Sequence, residues 1–423
     1  MLRYLWWSGG DLNSKLQSYR MKVHVFGAVS SPSRVNYVMK HIANCESTKP
    51  KASNTILNAF YVDDMLDSFA TEEGAIHASE CIQETIAEGV FRLTKWHSNR
   101  RRVIEAFPEV ERTKDLKEID INVDNLPTYR ALGVRWDAET DKLGFFYNEN
   151  QKWNVNNRRS MLSIVSSVYD PMGICMVAPY VVKAKMILQG LCQHKICWDE
   201  EIPHQKAHEW NQWTKELPKL QEVKLDRCLK PPRSDQPTNI QFHHFADASV
   251  QGYGVVSYVR YMYGTQIHCS FLSAKARVRP LKKVTIPRLE LTAAVTAVRV
   301  DYKLRNEWKK GSEEEEIESH LWTDSMTVLK YIENETSRFH TFVANRVEEI
   351  RDKSDPSQWH YVPSQENPAD DCSRGLTIEK LFKSERWFNG PQFLWKPKSE
   401  WPTSGRRKYQ IKILKSASKL ELD

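Results

Sequence analysis

The sequence predicts a multidomain protein of the α/β and α+β classes, with a mixed five-stranded sheet and flanking helices in its C-terminal half. Three observations support this prediction. Residues 240–247 alternate between two faces, which is typical of a strand. Apolar stripes with helical spacing occur both before and after that strand. The length of 423 residues is sufficient for two or three domains, each with its own core.

The composition is that of a globular protein, with 40% hydrophobic and 11% aromatic residues. No apolar run has the 18 or more residues of a membrane span, and the first residues do not continue as a signal peptide would. None of the eight cysteines forms a CxxC pair, which favours reduced thiols over a zinc site. We therefore expect an intracellular protein, cytoplasmic or nuclear, that is not secreted and has no membrane partner.

The strands of the C-terminal half are predicted in a definite order. The first three are joined by short turns, which favours an antiparallel meander. A helix separates the third strand from the fourth, and a second helix separates the fourth from the fifth. The five predicted strands cover residues 240–247, 254–259, 267–272, 320–323 and 359–362.

The helix between the third and fourth strands begins near Pro287, a residue that suits the first turn. Glu290 lies off its apolar stripe, beside small residues that would let the helix approach the sheet. The next helix follows Ser325, which is suited to capping its first turn. The predicted apolar stripe of the earlier helix consists of Leu291, Val295, Val298 and Tyr302.

Four carboxylates occupy the boundaries of these elements: Asp247, Glu290, Asp324 and Asp370. Brought together, they would repel one another by about 1 kcal/mol per pair in water and about 4 kcal/mol at an effective dielectric near 20. Divalent cations would relieve this repulsion, and a site with oxygen ligands alone favours two magnesium or manganese ions. Such a pair of ions can activate water against a phosphodiester.

Each carboxylate also has a simpler interpretation. An aspartate at a strand end, such as Asp247 or Asp324, is more often a turn or cap residue. Glu290 alone is more often a first-turn carboxylate that the helix dipole favours. The order of the four residues, with three strands, a helix, a strand and a helix between them, is much harder to assign to chance.

The segment resembles the ribonuclease H domain of BEL/Pao-type retrotransposon polyproteins. This resemblance implies that Asp247, Glu290, Asp324 and Asp370 are metal ligands. It also implies cleavage of the RNA strand of an RNA–DNA hybrid, with a 3′-hydroxyl and a 5′-phosphate as products. The matching strings are FADAS (Phe245 to Ser249), GYG (Gly252 to Gly254), TIPRLEL (Thr285 to Leu291), WTDS (Trp322 to Ser325) and VPSQENPADDCSRG (Val362 to Gly375).

Two positions depart from the pattern of the related enzymes. Retroviral enzymes carry a histidine in the loop before the last aspartate, where this chain has about Gln365, while His360 lies on the preceding strand. Asp371 follows Asp370 where the family usually has an apolar residue, so either could be the last ligand. Asp370 is preferred because it occupies the family's Asn-Pro-Ala-Asp position.

The N-terminal third carries a second pair of carboxylates, Asp63 and Asp64, at a predicted turn between two short strands. Together with the loop over residues 26–32, this turn resembles the palm of a reverse transcriptase. Residues 91–99 and 131–137 resemble the strands that follow in BEL/Pao polymerases. By this resemblance Asp63 and Asp64 would belong to a polymerase metal site.

A third polymerase carboxylate is missing from the sequence. Such polymerases take it from a strand before the loop, but Asp11 is followed by residues that do not fit that pattern. The fingers region is absent with it. We therefore expect a truncated palm that does not polymerise by itself.

A basic run in the same third mixes an aromatic residue with cations, a combination that suits phosphate contacts and base stacking. A solvated surface is the commoner explanation of such a run. The net charge of +7 permits nucleic-acid binding without requiring it. The candidate nucleic-acid-binding residues are Lys95, Trp96, Arg100, Arg101 and Arg102.

Four regions follow from these motifs. Residues 1–150 are expected to form the truncated palm, and 151–235 a helical thumb or connection that ends in a proline-rich linker. Residues 236–378 are expected to form the ribonuclease H-like domain, and 379–423 a tail that leads toward an integrase. The resemblance makes the chain a fragment of a transposable-element polyprotein.

Two other function classes were weighed. A decayed or host-adopted element could bind nucleic acid without turnover, an interpretation that the missing palm aspartate favours and the four nuclease carboxylates oppose. An aspartic peptidase is rejected because the sequence has no Asp-Thr-Gly or Asp-Ser-Gly.

Overall fold

The computed structural model describes residues 3–22, 27, 29–45, 50–131, 134–145, 157–168, 176–233, 235–311, 317–336 and 338–402. The chain divides into two compact units. Unit 1 comprises Met1–Ala131 and Ala138–Thr140, and unit 2 comprises Leu132–Asp137 and Asp141–Asp423. In the described ranges, no helix has the length and apolar character needed to cross a membrane.

Unit 1 has a small apolar core that joins three amphipathic helices. Its strands are Arg3–Trp7 (β1), Leu16–Arg20 (β2), Phe60–Tyr61 (β3), Asp64–Met65 (β4) and Thr128–Ala131 (β5). Its helices are Ser31–Cys45 (α1), Pro50–Asn58 (α2), Glu72–Ala87 (α3), Arg101–Glu105 (α4) and Lys114–Lys117 (α5). The core lies among α1, α2 and α3, where Met39, Ile56 and Ile82 are buried.

Unit 2 contains the longer strands and helices. Its strands are Val134–Asp137 (β6), Lys142–Gly144 (β7), Lys224–Asp226 (β8), Asn239–Ala248 (β9), Gly252–Tyr263 (β10), Gln266–Val278 (β11), Ile317–Thr323 (β12) and Trp359–Tyr361 (β13). Its helices are Arg158–Ser167 (α6), Ala178–Gln193 (α7), His204–Glu216 (α8), Ile286–Gly311 (α9), Met326–Glu333 (α10), Thr341–Lys353 (α11), Ala369–Arg374 (α12), Ile378–Phe382 (α13) and Glu385–Asn389 (α14).

The main sheet of unit 2 has the strand order β11-β10-β9-β12-β13. Strands β9, β10 and β11 form an antiparallel meander, whereas β12 is parallel to both β9 and β13. The predicted mixed five-stranded sheet is therefore confirmed. The meander strands extend beyond the predicted ranges because β10 and β11 pair along almost their whole length.

Helices cover both faces of this sheet, which explains why β9 is buried along nearly its whole length. On one face, α9, α10 and α11 pack against a core that includes Ala246 and Leu321. On the other face, the core around Phe245 and Trp322 also contains apolar residues of α6, α7, α8 and the segment after residue 378. The helical segment and the tail thus share one core with the sheet, while the predicted boundaries at 150, 235 and 378 stay predictions.

The tail is joined to the sheet by buried hydrogen bonds. Arg260 of β10 is 1% exposed and donates to the carbonyl oxygens of Leu394 at 2.7 Å and Lys396 at 2.9 Å. The Tyr258 hydroxyl donates to the carbonyl oxygen of Trp387 at 2.7 Å. Each buried donor would otherwise lose its hydrogen bonds to water without replacement. The tail therefore satisfies polar groups of the sheet as well as covering its apolar face.

The predicted stripe of α9 is wrong at its last position. Tyr302 is 52% exposed, whereas its neighbour Asp301 is fully buried. The buried face moves to position 301 because that carboxylate finds partners in the core. Asp301 accepts hydrogen bonds from Ser319 at 2.5 Å and from Arg305 at 2.9 Å, and it lies 3.1 Å from the His244 ring. Periodicity alone assigns such a carboxylate to solvent.

Gly254 of β10 allows α12 to lie against the sheet. A Cβ at this position would collide with Cys372 of α12 and would lie 2.8 Å from the carbonyl oxygen of Lys275. Gly254→Ala is therefore expected to push α12 outward and to lower the free energy of unfolding by about 1–3 kcal/mol. Urea unfolding measures this loss.

Gly190→Ala in α7 is the matched control for this substitution. Its Cβ would meet the Lys206 side chain at an ordinary 3.6 Å, and alanine is favoured over glycine in a helix. We expect it to leave stability unchanged or raised. Equal losses in the two variants would contradict the role given to Gly254.

Candidate active site

Two of the predicted carboxylates lie on neighbouring parallel strands. Thr323 of β12 is in register with Ala246 of β9, so Asp247 and Asp324 each follow a paired residue by one position. Adjacent strands lie about 4.8 Å apart. The two aspartates therefore lie beside each other at the carboxyl edge of the sheet.

Helix α9 brings Glu290 to the same edge. Three alanines of α9 (Ala293, Ala294 and Ala297) have no exposed surface, so the helix lies close against the sheet as predicted. The Ser325 hydroxyl donates to Oε2 of Glu290 at 2.6 Å and accepts from the amide of Val328 at 3.3 Å. The residue that caps α10 thus also holds the carboxylate of α9 at the end of β12.

Two further serines hold the aspartates. The Ser373 hydroxyl of α12 donates to Oδ2 of Asp247, and the Ser364 hydroxyl donates to Oδ2 of Asp324 at 2.5 Å. Neither serine was identified from the sequence, although both lie in the string that carries Asp370. Helix α12 therefore contributes a hydroxyl as well as a carboxylate to this edge.

The carboxylates act on one another electrostatically. Burial raises the pKa of Asp247 to about 7, with smaller increases from Asp324 and Asp370, while the Ser373 hydrogen bond opposes the shift. Burial also raises the pKa of Glu290, Asp324 adds to the increase, and the Ser325 hydrogen bond opposes it. Like charges held near each other disfavour ionisation. The ionised carboxylates at this edge therefore repel one another, and a bound cation would relieve that repulsion.

Asp370 and Asp371 have different surroundings. The carboxylate of Asp371 is buried and accepts from Arg386 at 2.8 Å, on the side of the tail. Asp370 pairs with Arg374 one turn later in α12 and contributes to the raised pKa of Asp247. The surroundings of Asp370 are those of a member of the carboxylate cluster, and the surroundings of Asp371 are those of a structural ion pair.

The oxygen atoms of the cluster are suitable ligands for a divalent cation, but their present positions do not form a coordination site. In the described part of the chain, no group of three or more His, Cys, Asp or Glu side chains converges on one point. Each carboxylate instead contacts a hydroxyl or a guanidinium. Carboxylate and hydroxyl oxygens are donors that magnesium and manganese accept. The side chains would have to turn from their present partners to bind a metal ion.

A comparison with protein families finds a match within unit 2. Residues 157–325 match the family described as Pao retrotransposon-like RNaseH-like domain. This Pao-like segment contains Asp247, Glu290 and Asp324 and ends before Asp370. It covers fewer than half of the 423 residues. A search of curated proteins found no match.

Solved structures of RNase H proteins and of a viral reverse transcriptase are also similar to this chain, with low sequence identities and low TM-scores. The N-terminal RNase H domain of Rv2228c from Mycobacterium tuberculosis, fused to maltose-binding protein, is 14% identical with a TM-score of 0.24, covering 34% of this chain and 99% of that one. RNase H1 from the archaeon Halobacterium salinarum is 12% identical with a TM-score of 0.20, covering 32% and 93%. The foamy viral protease-reverse transcriptase in complex with double-stranded DNA is 11% identical with a TM-score of 0.19, covering 81% and 52%.

The Pao-like segment also contains a serine, a histidine and an aspartate in hydrogen-bonded order. Ser257 lies 2.7 Å from Nδ1 of His244, whose Nε2 lies 3.1 Å from Asp301. All three residues are fully buried, so no substrate reaches the serine. The arrangement is a core network that fixes α9 to the sheet, and it is not a hydrolytic triad.

His360 contacts β12, and Gln365 contacts the tail. His360 of β13 lies 3.0 Å from His320, which lies within the Pao-like segment. The carbonyl oxygen of Gln365 accepts from Arg386 at 2.7 Å.

The carboxylates of unit 1, outside the Pao-like segment, lie on a short hairpin. Tyr61 of β3 pairs with Asp64 of β4, leaving Val62 and Asp63 as the turn. Val62 has a φ of 60°, which is strained for a β-branched residue. Asp63 and Asp64 are both exposed. Phe26, from the loop that completes the palm resemblance, lies outside the described residues, and the polymerase role stays a prediction.

The basic run of unit 1 is largely engaged in contacts within that unit. The Trp96 ring stacks on Phe107 with centroids 4.1 Å apart. Three arginines face carboxylates: Arg100 faces Glu72 at 3.9 Å, Arg101 faces Glu139 at 2.9 Å, and Arg102 pairs with Glu73. Lys95 is exposed and has a positive φ of 62°. Nucleic-acid binding by these five residues stays a prediction.

Proposed function

We propose that unit 2 is a metal-dependent nuclease that hydrolyses the RNA strand of RNA–DNA hybrids. The observation that supports this most is the mutual effect of Asp247, Glu290, Asp324 and Asp370 at one sheet edge. Three of these residues lie in the Pao-like segment. We further propose that the chain is a fragment of a retrotransposon polyprotein and acts in the cytoplasm or nucleus.

The four carboxylates would hold two magnesium or manganese ions. When bound, such ions supply an activated water and stabilise the leaving oxygen of a phosphodiester. The protein positions the ligands through the adjacent parallel strands, the close approach of α9 and the hydroxyls of Ser325, Ser364 and Ser373. Because the pKa of Asp247 is about 7, that carboxyl must lose its proton before it can act as a ligand at neutral pH.

For unit 1 we propose a polymerase remnant. Asp63 and Asp64 would be two of the carboxylates of a polymerase site, and no third carboxylate in residues 1–62 fits the expected pattern. Two metal ions that lack a principal ligand bind poorly. Unit 1 is therefore expected not to extend a primer by itself.

Cleavage of a labelled RNA–DNA hybrid in magnesium tests the nuclease proposal. The unsubstituted chain is expected to nick the RNA strand. Glu290→Gln and Asp324→Asn are expected to reduce the rate by at least about a hundredfold, because each removes a carboxylate that would hold the magnesium ions. Asp352→Asn is the control, since this exposed aspartate of α11 is outside the cluster and loses the same charge.

Binding measured in the same samples distinguishes the alternative function. Hybrid binding without cleavage in any variant would support a non-catalytic nucleic-acid-binding remnant. The ion pair between Asp370 and Arg374 favours this alternative, because it already neutralises one of the four carboxylates. Equal rates in Asp324→Asn and Asp352→Asn would contradict the proposed site.

A further inference from the structure

Unit 2 carries a basic surface beside the carboxylate edge that the proposed chemistry does not use. We propose that Arg277, Arg288, Arg299 and Arg346, with the loop lysines Lys282 and Lys283, bind the phosphate backbone of a double-stranded nucleic acid. This inference rests on the proposed function, because it supplies the surface that holds the hybrid at the carboxylates.

The segment from the end of β11 to the start of α9 is strongly basic. Residues 275–289 contain six lysines and arginines and no acidic residue. Arg277, Lys282, Lys283 and Arg288 are exposed. In the described residues, none of these four has a carboxylate within ion-pair distance. Other exposed arginines of unit 2, such as Arg159 with Asp199, do have such a partner.

The topology places this segment at the same end of the sheet as the carboxylates. β9 ends at Ala248, and β10 runs away from that end while β11 returns to it. Arg277 of β11 is paired with Tyr253 at the start of β10. The segment then leads into α9, where Arg288 precedes Glu290 by two residues. The basic loop and the carboxylate edge are thus neighbours by strand order.

The surface continues along α9 and α11 through a shared aromatic ring. The guanidinium of Arg346 lies 3.5 Å from the centroid of Phe342, and that of Arg288 lies 4.9 Å from it. Arg299 follows along α9 and is held by Glu349 through two contacts of 2.7 Å. Glu349 therefore pairs directly with Arg299, whereas Arg288 and Arg346 share the Phe342 ring.

The crowding of these cations affects their ionisation. Burial lowers the pKa of Arg346, and the nearby Arg299 and Arg288 lower it further, while Glu349 opposes them. A bound anion would relieve this repulsion, as a cation would at the carboxylate edge. The uneven balance of charge, rather than the number of basic residues, favours an anionic ligand.

The length of the basic surface along α9 matches an extended polyanion. Arg288 and Arg299 are eleven residues apart on α9, which corresponds to about 16 Å along a helix. Phosphates of one strand of duplex DNA rise by about 3.4 Å each along the axis, so this distance spans about five of them. A single phosphate group would need only one end of the surface. We therefore assign the surface to a duplex backbone.

Salt-dependent binding tests the inference without relying on cleavage. An RNA–DNA hybrid is titrated with the Asp247→Asn chain in EDTA at several salt concentrations. Adding Arg277→Gln, Arg288→Gln and Arg346→Gln is expected to weaken binding at least tenfold. It should also lower the slope of log affinity against log salt by about 2 to 3, because each lost phosphate contact removes about 0.9.

A matched control removes three charges from the far end of α9. Lys303→Gln, Lys309→Gln and Lys310→Gln change exposed residues and give the same change in net charge. They are expected to leave the affinity within about threefold of the parent. A second variant, Lys282→Glu with Lys283→Glu, reverses charge only at exposed loop positions and should weaken binding without affecting folding.

The outcomes separate this inference from the nuclease proposal. Loss of binding in the arginine and loop variants alone supports the surface, whether or not the unsubstituted chain cleaves the hybrid. Equal weakening in the control, or no weakening in the loop variant, overturns it. Absence of binding by the parent chain also overturns it. Binding with no cleavage by the unsubstituted chain overturns the nuclease proposal and leaves the surface in place.

Discussion

Asp247→Asn is expected to abolish cleavage of the hybrid and also to stabilise the protein above pH 7 when no divalent cation is present. The ionised carboxylate is unfavourable in the folded chain because burial, Asp324 and Asp370 raise its pKa to about 7. The difference from the ordinary value of an aspartate corresponds to about 4 kcal/mol at most. Asparagine has a similar shape and cannot ionise, so it removes this destabilisation.

The pH dependence has a definite sign. Below about pH 4 the carboxyl of Asp247 is protonated in both the folded and unfolded chains, so it has no effect. Between about pH 4 and pH 7 the folded chain retains a proton that the unfolded chain has lost, and the free energy of unfolding falls as pH rises. Urea unfolding in EDTA should show the parent and Asp247→Asn converging near pH 4 and differing most near pH 8.

The same unfolding measurements in magnesium are expected to show the opposite effect on the parent. In excess magnesium the parent should gain stability, because a ligand that binds only the folded chain stabilises it. Asp247→Asn should gain little, and Asp352→Asn should follow the parent in both conditions. If Asp247→Asn and the parent have the same stability at pH 8 in EDTA, ionised Asp247 does not destabilise the folded chain, and the prediction is wrong.

Trp387→Ala is expected to destabilise unit 2 by about 3–5 kcal/mol. The Trp387 ring is fully buried in the core of the tail-covered face, and its Nε1 donates to the carbonyl oxygen of Met176 at 2.7 Å. Removal of the ring leaves a cavity and an unsatisfied buried carbonyl. Because single domains are stable by about 5–15 kcal/mol, this loss is large.

Trp395→Ala is the control for this prediction. The Trp395 side chain is 38% exposed, so its truncation removes far less buried contact. We expect a loss of about 1 kcal/mol or less in urea unfolding. A comparable loss in both variants would indicate that the tail is no more important to the core than an ordinary surface segment.

Much of the sheet could be predicted from the sequence because local patterns determine it. Alternation identified β9, and Ser325 was recognised as the cap of α10, where its hydroxyl accepts from the amide of Val328. The packing of the tail could not be predicted in this way. α13 and α14 have five residues each, which is too short for a helical period, and the segment from there to Trp401 contains two short 3-10 helices, Gln392–Trp395 and Lys398–Glu400.

In the candidate site, too, local sequence patterns predict some positions, whereas contacts between distant residues could not be predicted. Strand ends and the alanines of α9 were sufficient to place Asp247, Asp324 and Glu290 at one edge. Ser373 and Asp247 are 126 residues apart, so their contact depends on how α12 lies across β10. No local signal marks that hydroxyl as a partner. Asp301 was missed for a related reason, since its burial depends on donors from other elements.

The hydrogen bonds between Arg260 and the tail determine where unit 2 can be cut without loss of its fold. Cutting at residue 378, where sequence patterns end the sheet domain, would leave the guanidinium without its two carbonyl acceptors and expose the ring of Trp322. Recombinant fragments should therefore begin before Phe145 and reach beyond Trp401, since both lie in the same core. Any proteolytic cut that leaves unit 2 folded has to lie outside the whole interval.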